Sequence, residues 1–194
     1  MSPTVYFTVI DDVARQNRSA LGKIILLQCI RLATQQPNGL FEMTHEPAGR
    51  PVVSGHPEIF ISLSHSATSL ACAGTLAGPL GIDLEIERSG RNVADIAAFA
   101  FGPAEQKRVA RDGTDGFYRI WTLREAIAKA EGIGLVQVAD RQDRVDTGPD
   151  SGEWRWRDWH LARHVVAPGR HLALAVQAAR ADAMAWRYFT PTDA

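Results

Sequence analysis

The chain is short of the features that would place it at a glance. It has two cysteines, Cys29 and Cys72, both inside apolar stretches, so no disulfide framework is on offer and a reduced, cytoplasmic protein is expected. Charge of one sign is missing too: 21 Lys and Arg against 22 Asp and Glu leave −1 at pH 7. No overall field draws the chain to nucleic acid or to an anionic membrane. Long apolar runs are absent. The longest, around Ile24 to Leu27 and Leu172 to Val176, fall far short of the roughly 20 residues that span a bilayer, and no charged-then-apolar leader opens the sequence. Neither a membrane nor a nucleic acid is an expected partner. What is present is apolar content of 45% over 194 residues, enough for a substantial core in one domain or in two small halves packed together.

Periodicity gives a coarse order of elements. Val5 to Ile10 alternates as a strand, and Asp11-Asp12 offers caps for a helix running to about Gln35 with Leu21, Ile24, Ile25, Cys29 and Leu32 at helical spacing. Pro37-Asn38-Gly39 breaks it. Ile59 to Leu63, Leu70 to Thr75 and Leu80 to Glu87 follow as strands of an antiparallel sheet. Helical pattern then covers Val93 to Ala110, interrupted at Phe101-Gly102-Pro103, and a second helix spans Phe117 to Ala130. Glu153 to Ala162 and His171 to Ala178 read as strands joined through Ala167-Pro168-Gly169, after a polar stretch from Gln142 to Gly152. Strands cluster instead of alternating with helices, so the class is α+β. Each half offers a long helix and a small antiparallel sheet, which suggests a pseudo-twofold duplication of two subdomains, 1–88 and 89–194, with the boundary near Ser89-Gly90.

Two segments carry most of the chemistry. In the strand Gly81-Ile82-Asp83-Leu84-Glu85, the two acids project to one face with Cα atoms roughly 6 to 7 Å apart, close enough to share one hard cation. Taken alone the pair also describes an amphipathic strand with two solvated acids. In the helix, Trp121, Glu125 and Lys129 succeed one another at i, i+4 and share a face. By itself Glu125 before Lys129 is also a common surface pair worth about 0.2–0.5 kcal/mol. If the helix crosses the strand, Glu125 supplies a third acid. His160 and His164 lie in a strand pattern, and no zinc site is assigned. Trp154, Trp156 and Trp159 with Arg155 and Arg157 could present an aromatic, basic ribbon to single strands, but strand alternation puts the tryptophans in the core and the arginines outside.

Together these segments resemble the 4'-phosphopantetheinyl transferases, especially the longer, pseudo-dimeric, surfactin-synthetase-activating type. Gly49-Arg50-Pro51 resembles the family's Gly-Lys-Pro loop, Leu63-Ser64-His65-Ser66 its Ile-Ser-His-Ser turn, and Gly81 to Glu85 its Gly-Ile-Asp-Ile-Glu strand. Phe101 to Glu105 is similar to its Phe-x-x-x-Glu segment, and Phe117 to Leu135 to its Trp-x-x-Lys-Glu-x-x-x-Lys helix with the trailing Glu-Gly-x-Gly-Leu. The blocks stand in family order across residues 15 to 138.

The resemblance implies a fold of two similar halves with coenzyme A and Mg2+ in the cleft between them. It also implies an acyl or peptidyl carrier protein whose serine receives the 4'-phosphopantetheine arm, releasing adenosine 3',5'-bisphosphate. Carried over by position, Asp83, Glu85 and Glu125 are the metal ligands. Ser64 and His65 contact the coenzyme A phosphates, with Arg18 and Arg50 near the nucleotide end, where an arginine fork suits phosphate oxygens. Glu105 deprotonates the serine directly or through water, and Lys129 stabilises charge as the phosphoanhydride breaks. On the bare sequence, Glu105 is equally a glutamate early in a helix that starts after Pro103. Lys107, Arg108 and Arg111 offer a basic face to an acidic carrier protein. With both halves in one chain, a monomer is expected.

Arg124 stands where the family has lysine, which keeps the charge and changes its geometry. The stretch before Arg18 holds no match for the basic residues that the surfactin type places upstream. Two further readings follow: a family member that binds coenzyme A or carrier protein without turnover, and an unrelated metal-dependent phosphoesterase built on Asp83 and Glu85.

Overall fold

A computed structural model describes residues 2–47, 49–133, 148–178 and 181–191. Gly134 and Leu135 of the trailing motif, and most of the polar stretch from Gln142, lie outside the described residues. The first sheet is built from β1 (Thr4–Ile10), β4 (Phe60–Ser66), β5 (Ser69–Thr75) and β10 (Ala185–Tyr188) in the order β10-β1-β5-β4. The second is built from β6 (Leu80–Ile86), β7 (Gly152–Trp156), β8 (Trp159–Ala167) and β9 (Arg170–Gln177) in the order β6-β9-β8-β7. A small hairpin pairs β2 (Met43–His45) with β3 (Pro51–Val53). All pairings are antiparallel except β1 with β10.

The α+β class expected from the sequence is observed, one long helix to each four-stranded sheet. α1 (Arg18–Thr34) covers the outer face of the first sheet, where Ile25, Leu26, Cys29 and Ile30 bury against Ile61, Leu70 and Cys72. After the short α2 (Val93–Ala100), α3 (Pro103–Glu131) covers the second, where Leu123, Ala126, Ile127 and Ala130 meet Trp159, Leu161, Ala173 and Ala175. The inner faces of the two sheets pack on each other through Val5, Phe7, Ala71, Ala73, Ile82, Leu84, Leu172 and Leu174. The order of layers is therefore helix, sheet, sheet, helix. No helix among the described residues is long and apolar enough to cross a membrane.

Several local expectations need correcting. The first helix begins at Arg18 with Asn17 as its cap, not at Asp11-Asp12, because Asp11 accepts from the Ser69 hydroxyl and pairs with Arg170, while Asp12 has a positive φ of 59°. Its buried stripe is shifted by one position, leaving Ile24 and Leu32 half exposed. Leu80 to Glu87 does not join the sheet of β4 and β5; it pairs with β9. Strand propensity is local, whereas the choice of partner is made by long-range packing. The 1–88 and 89–194 halves thus each lend a strand, β6 and β10, to the other's sheet. The helix expected over 117–130 begins sooner, directly after a kink at Gly113 (φ 65°, ψ −141°) that separates it from the helical turns following Pro103, as two separate helical stretches were expected. Glu153 to Ala162 is not one strand but the hairpin β7–β8, turning at Arg157 with φ 56°. The tryptophans do pack inward: Trp159 is buried in the layer under α3, with Trp154 and Trp156 against it. Both cysteines are buried and free, and burial pushes their thiols up.

Candidate active site

The local sequence of β6 explains the centre of the site. Ile82 and Leu84 point into the core between the sheets, which turns Asp83 and Glu85 toward α3. Gly81 lets the helix come down onto the strand: a Cβ there would collide with the Ala126 carbonyl oxygen. The residues of α3 just before the two that meet Gly81, Ala126 and Ala130, are Glu125 and Lys129. The Lys129 ammonium donates to Asp83 Oδ1 at 2.7 Å and to the Ile82 carbonyl at 3.2 Å.

A row of serines joins this strand to the first sheet. Ser62, Ser64 and Ser66 alternate along β4, the edge strand that lies beside β6. The Ser64 hydroxyl donates to Asp83 Oδ1 at 2.8 Å and Ser66 to Glu85 Oε2 at 3.1 Å. The Ile82 and Ile86 N–H groups donate in turn to the Ser62 and Ser66 hydroxyls, each at 3.1 Å. Edge strands of two sheets are thereby stitched by hydroxyls, and the stitches orient both acids. Ser62 and the role of Ser66 were missed from the sequence, though three serines at alternate positions of an otherwise apolar strand were the available signal.

The carboxylates crowd one another. Burial first, then the charge of Asp83, raises the Glu85 carboxyl, with Ser66, Arg91 and Arg88 pulling it back. Glu125 is pushed up to about 7, chiefly by burial and then by Asp83, with Glu85 adding to it and Lys129 and Arg91 opposing. Asp83 Oδ2 is buried with no hydrogen-bond partner. Three hard oxygen donors in mutual repulsion, one of them orphaned, fit a small divalent cation such as Mg2+. Arg91, which the sequence did not single out, stacks over Phe117, Tyr118 and Trp121 at 5.0–5.4 Å and stands beside the acids.

On the far side of β4 a groove of about 920 Å³ carries Arg15, Arg18, Lys23, His45, His65 and Arg88 along its walls, with Ser66 linking it to Glu85. His65 is exposed into it because strand alternation turns it opposite to Ser64 and Ser66. Arg18 also lines it, one amino group donating to the Ala67 carbonyl, its Nε buried without a partner. Ser64 itself is buried on Asp83 and does not line the groove. Arg50 is occupied elsewhere: its fork grips Glu46 at 2.7 and 3.0 Å and its third nitrogen donates to the Ala130 carbonyl, while its neighbours Gly49 and Pro51 line the groove.

Glu105 and Arg124 are brought together instead of separately serving the acids. Glu105 is 2% exposed and Arg124 4%. Arg124 donates to both Glu105 oxygens, at 2.7 and 3.0 Å, and to the Ala100 carbonyl at 3.0 Å. The Gly102 N–H donates to Glu105 at 2.9 Å, so this glutamate closes the first turn of α3. A lysine could not make that fork, which gives the departure at 124 a physical reason. Of the basic residues proposed to face a carrier protein, Arg108 and Arg111 both pair with Asp112, and Arg108 also with Asp150. His160 bonds the Ala181 carbonyl and His164 stacks on Phe7, so neither joins the site.

A further set was not visible in the sequence. Glu87 just past β6, Asp115 of α3 and His171 of β9 bring one ligand atom each within 4.8 Å of the others. They are far apart in the chain and carry no local pattern.

Comparison with known proteins bears on this arrangement directly. The profile of the 4'-phosphopantetheinyl transferase superfamily matches residues 79–188. A 4'-phosphopantetheinyl transferase of Bacillus subtilis is 34% identical over 91 residues, 45% of this chain and 39% of that protein. The transferase Sfp of Bacillus subtilis strain 168 is 29% identical over 123 residues, 61% of this chain and 54% of that one. HetI of Nostoc is 29% identical over 147 residues, 67% and 62% respectively. The chain spans about half the length of the curated relatives it matches. With the profile covering β6, α3 and the strands beneath them, the chain belongs to the 4'-phosphopantetheinyl transferase superfamily.

Proposed function

We propose that the protein transfers the 4'-phosphopantetheine arm of coenzyme A to a serine of an apo acyl or peptidyl carrier protein, releasing adenosine 3',5'-bisphosphate. The observation that carries this is the crowding of Asp83, Glu85 and Glu125 beside a basic groove, within a chain of this family. Asp83, Glu85 and Glu125 would hold Mg2+, which when bound offsets negative charge on the pyrophosphate. The basic groove receives the phosphates of coenzyme A, with His65 and Arg18 on its walls. In the reaction the serine oxygen bonds to the β-phosphorus, and the bridging oxygen leaves with the adenosine bisphosphate. Lys129 would stabilise the charge that develops there. Ser64 and Ser66 keep Asp83 and Glu85 aimed toward α3.

The serine must also lose a proton. Glu105 could accept it, directly or through water, only by leaving Arg124 and the Gly102 N–H. In its present geometry Glu105 serves by fixing α3, the helix that presents Glu125 and Lys129. Both walls of the site come from one chain, which supports a monomer.

Mass spectrometry of apo carrier proteins after incubation with coenzyme A and Mg2+ tests the proposal. A phosphopantetheine adduct that disappears in Glu125→Ala is expected. Tight coenzyme A binding with no adduct on any of a broad panel of carriers would replace it by the binding-only reading. Hydrolysis of coenzyme A without carrier would replace it by the phosphoesterase.

A further inference from the structure

Glu87 lies two residues beyond Glu85 on the same side of the β6 line, where the chain leaves the strand. His171 at the start of β9 places its Nε2 2.8 Å from Glu87 Oε1, and Asp115 of α3 brings Oδ1 to 3.9 Å from the same nitrogen. All three ligand atoms lie within 4.8 Å of one another. We propose that Glu87, Asp115 and His171 form a second divalent-cation site, suited to a first-row transition ion such as Mn2+ or Zn2+ and distinct from the carboxylates Asp83, Glu85 and Glu125.

Bonds of about 2.0–2.2 Å to nitrogen and oxygen set adjacent ligand atoms roughly 3 Å apart and opposite ones a little over 4 Å. The 2.8 Å between His171 and Glu87 suits adjacent ligands, and the 3.9 Å to Asp115 lies between the adjacent and the opposite spacing. Its histidine is held as a ligand should be. The His171 side chain is 2% exposed, and its ring lies flat against Tyr118, with centroids 5.7 Å apart and planes 11° from parallel. Tyr118 is fixed in turn, its hydroxyl accepting from the Arg88 N–H at 3.1 Å. A rigidly supported imidazole needs no reordering to bind.

The two carboxylates are different. Glu87 and Asp115 have side chains 31% and 43% exposed, so water can complete the coordination from the solvent side. The other oxygen of Asp115 accepts from Arg119 at 2.7 Å, which leaves Oδ1 turned to the cluster. As drawn, Nε2 donates its proton to Glu87; with that proton on Nδ1 instead, Nε2 presents its lone pair to the ion. One imidazole with two carboxylates favours Mn2+ or Zn2+ over Mg2+, whose preference is for oxygen alone. A His171–Glu87 pair that served only to tie β9 to β6 would have no use for a third donor delivered by the helix.

Mn2+ binding to the whole chain, followed by electron paramagnetic resonance, tests this. The wild-type protein should show nitrogen coupling from a bound imidazole, because the other proposed site has no histidine. His171→Gln should abolish the coupling. Asp115→Asn, a partly exposed position that spares the fold, should weaken this class of binding at least about tenfold, the lower end of what losing even an outer-shell partner costs. Combining Asp83→Asn with Glu125→Gln should leave the coupling intact. Absence of nitrogen coupling in the wild type, or wild-type affinity in Asp115→Asn, would overturn the site. Failure of the other metal site reads differently: Asp83→Asn with Glu125→Gln would then bind as many ions as the wild type.

Discussion

The two helix-on-sheet layers are built alike and used differently. In the first, α1 comes close to β5 at Gly74, where a Cβ would stand 2.8 Å from the Cys29 Cβ. In the second, α3 comes closer still to β6 at Gly81, against backbone instead of side chain. Under α1 the contact is apolar but for the buried Thr8 opposite Cys72. Under α3 an apolar strip is flanked by Asp83, Glu105, Arg124 and His171, all at least nine-tenths buried, and by Glu125 and Lys129. The comparison teaches that one architecture can be a plain core or a reactive cleft, according to whether the strand facing the helix carries acids at alternate positions.

The largest effect that would sharpen this contrast is expected at the buried ion pair. Arg124→Ala leaves the buried Glu105 with only the Gly102 N–H and no counter-ion, and urea unfolding should show a loss of about 3–5 kcal/mol. Arg124→Lys should recover only part of it, since a point charge cannot replace the fork. A cost below about 1 kcal/mol would mean that the second layer does not depend on its charges. Next in size are the two glycines. Gly81→Ala should cost near the top of the roughly 1–3 kcal/mol range for overpacking and reduce carrier modification, while Gly74→Ala should cost less, because a side chain yields more readily than a carbonyl. Equal losses at the two positions would break the contrast between the layers.

Ser64→Ala removes a hydrogen bond to a buried carboxylate and is expected to cost about 1.5–3 kcal/mol, with weaker Mg2+ binding measured by calorimetry. The smallest effect is the pH slope. Glu125 has a folded pKa of about 7, above its ordinary 4.5, so between those values the native state binds more protons than the unfolded one and stability falls as pH rises. Thermal unfolding without metal should therefore give a higher midpoint at pH 5.5 than at 7.5. That difference should shrink in Glu125→Gln and in saturating Mg2+. A slope of the opposite sign would refute the crowding of the acids.

Much of the cleft was legible in the sequence because its parts are local. Asp83 and Glu85 share a face through strand alternation alone, and Glu125 and Lys129 share one through the helical turn; both placements are observed. What the sequence hid was non-local. That β6 pairs with β9 and β10 with β1 depends on how two sheets close on a common core, not on propensity. The gap between the helical pattern that ends at Ala110 and the helix read from Phe117 narrows in the structure to a kink at Gly113. Asp150, paired with Arg108 before the break and with Arg119 after it, ties the two sides together. Arg50 and Glu105 were assigned by position, yet their pairings with Glu46 and Arg124 could be seen only once the elements were folded together.

The serine seam between β4 and β6 has a mechanical consequence. Within each sheet the strands are joined by backbone amides and carbonyls whose directions are fixed. Across the seam the described joints are hydroxyls, free to rotate on their Cβ atoms while holding contact. The seam is therefore expected to be the looser joint, or hinge, between the two sheets, which their shared apolar core holds together. Amide exchange at Ile82 and Ile86 would register that hinge, faster than at β6 amides locked to β9.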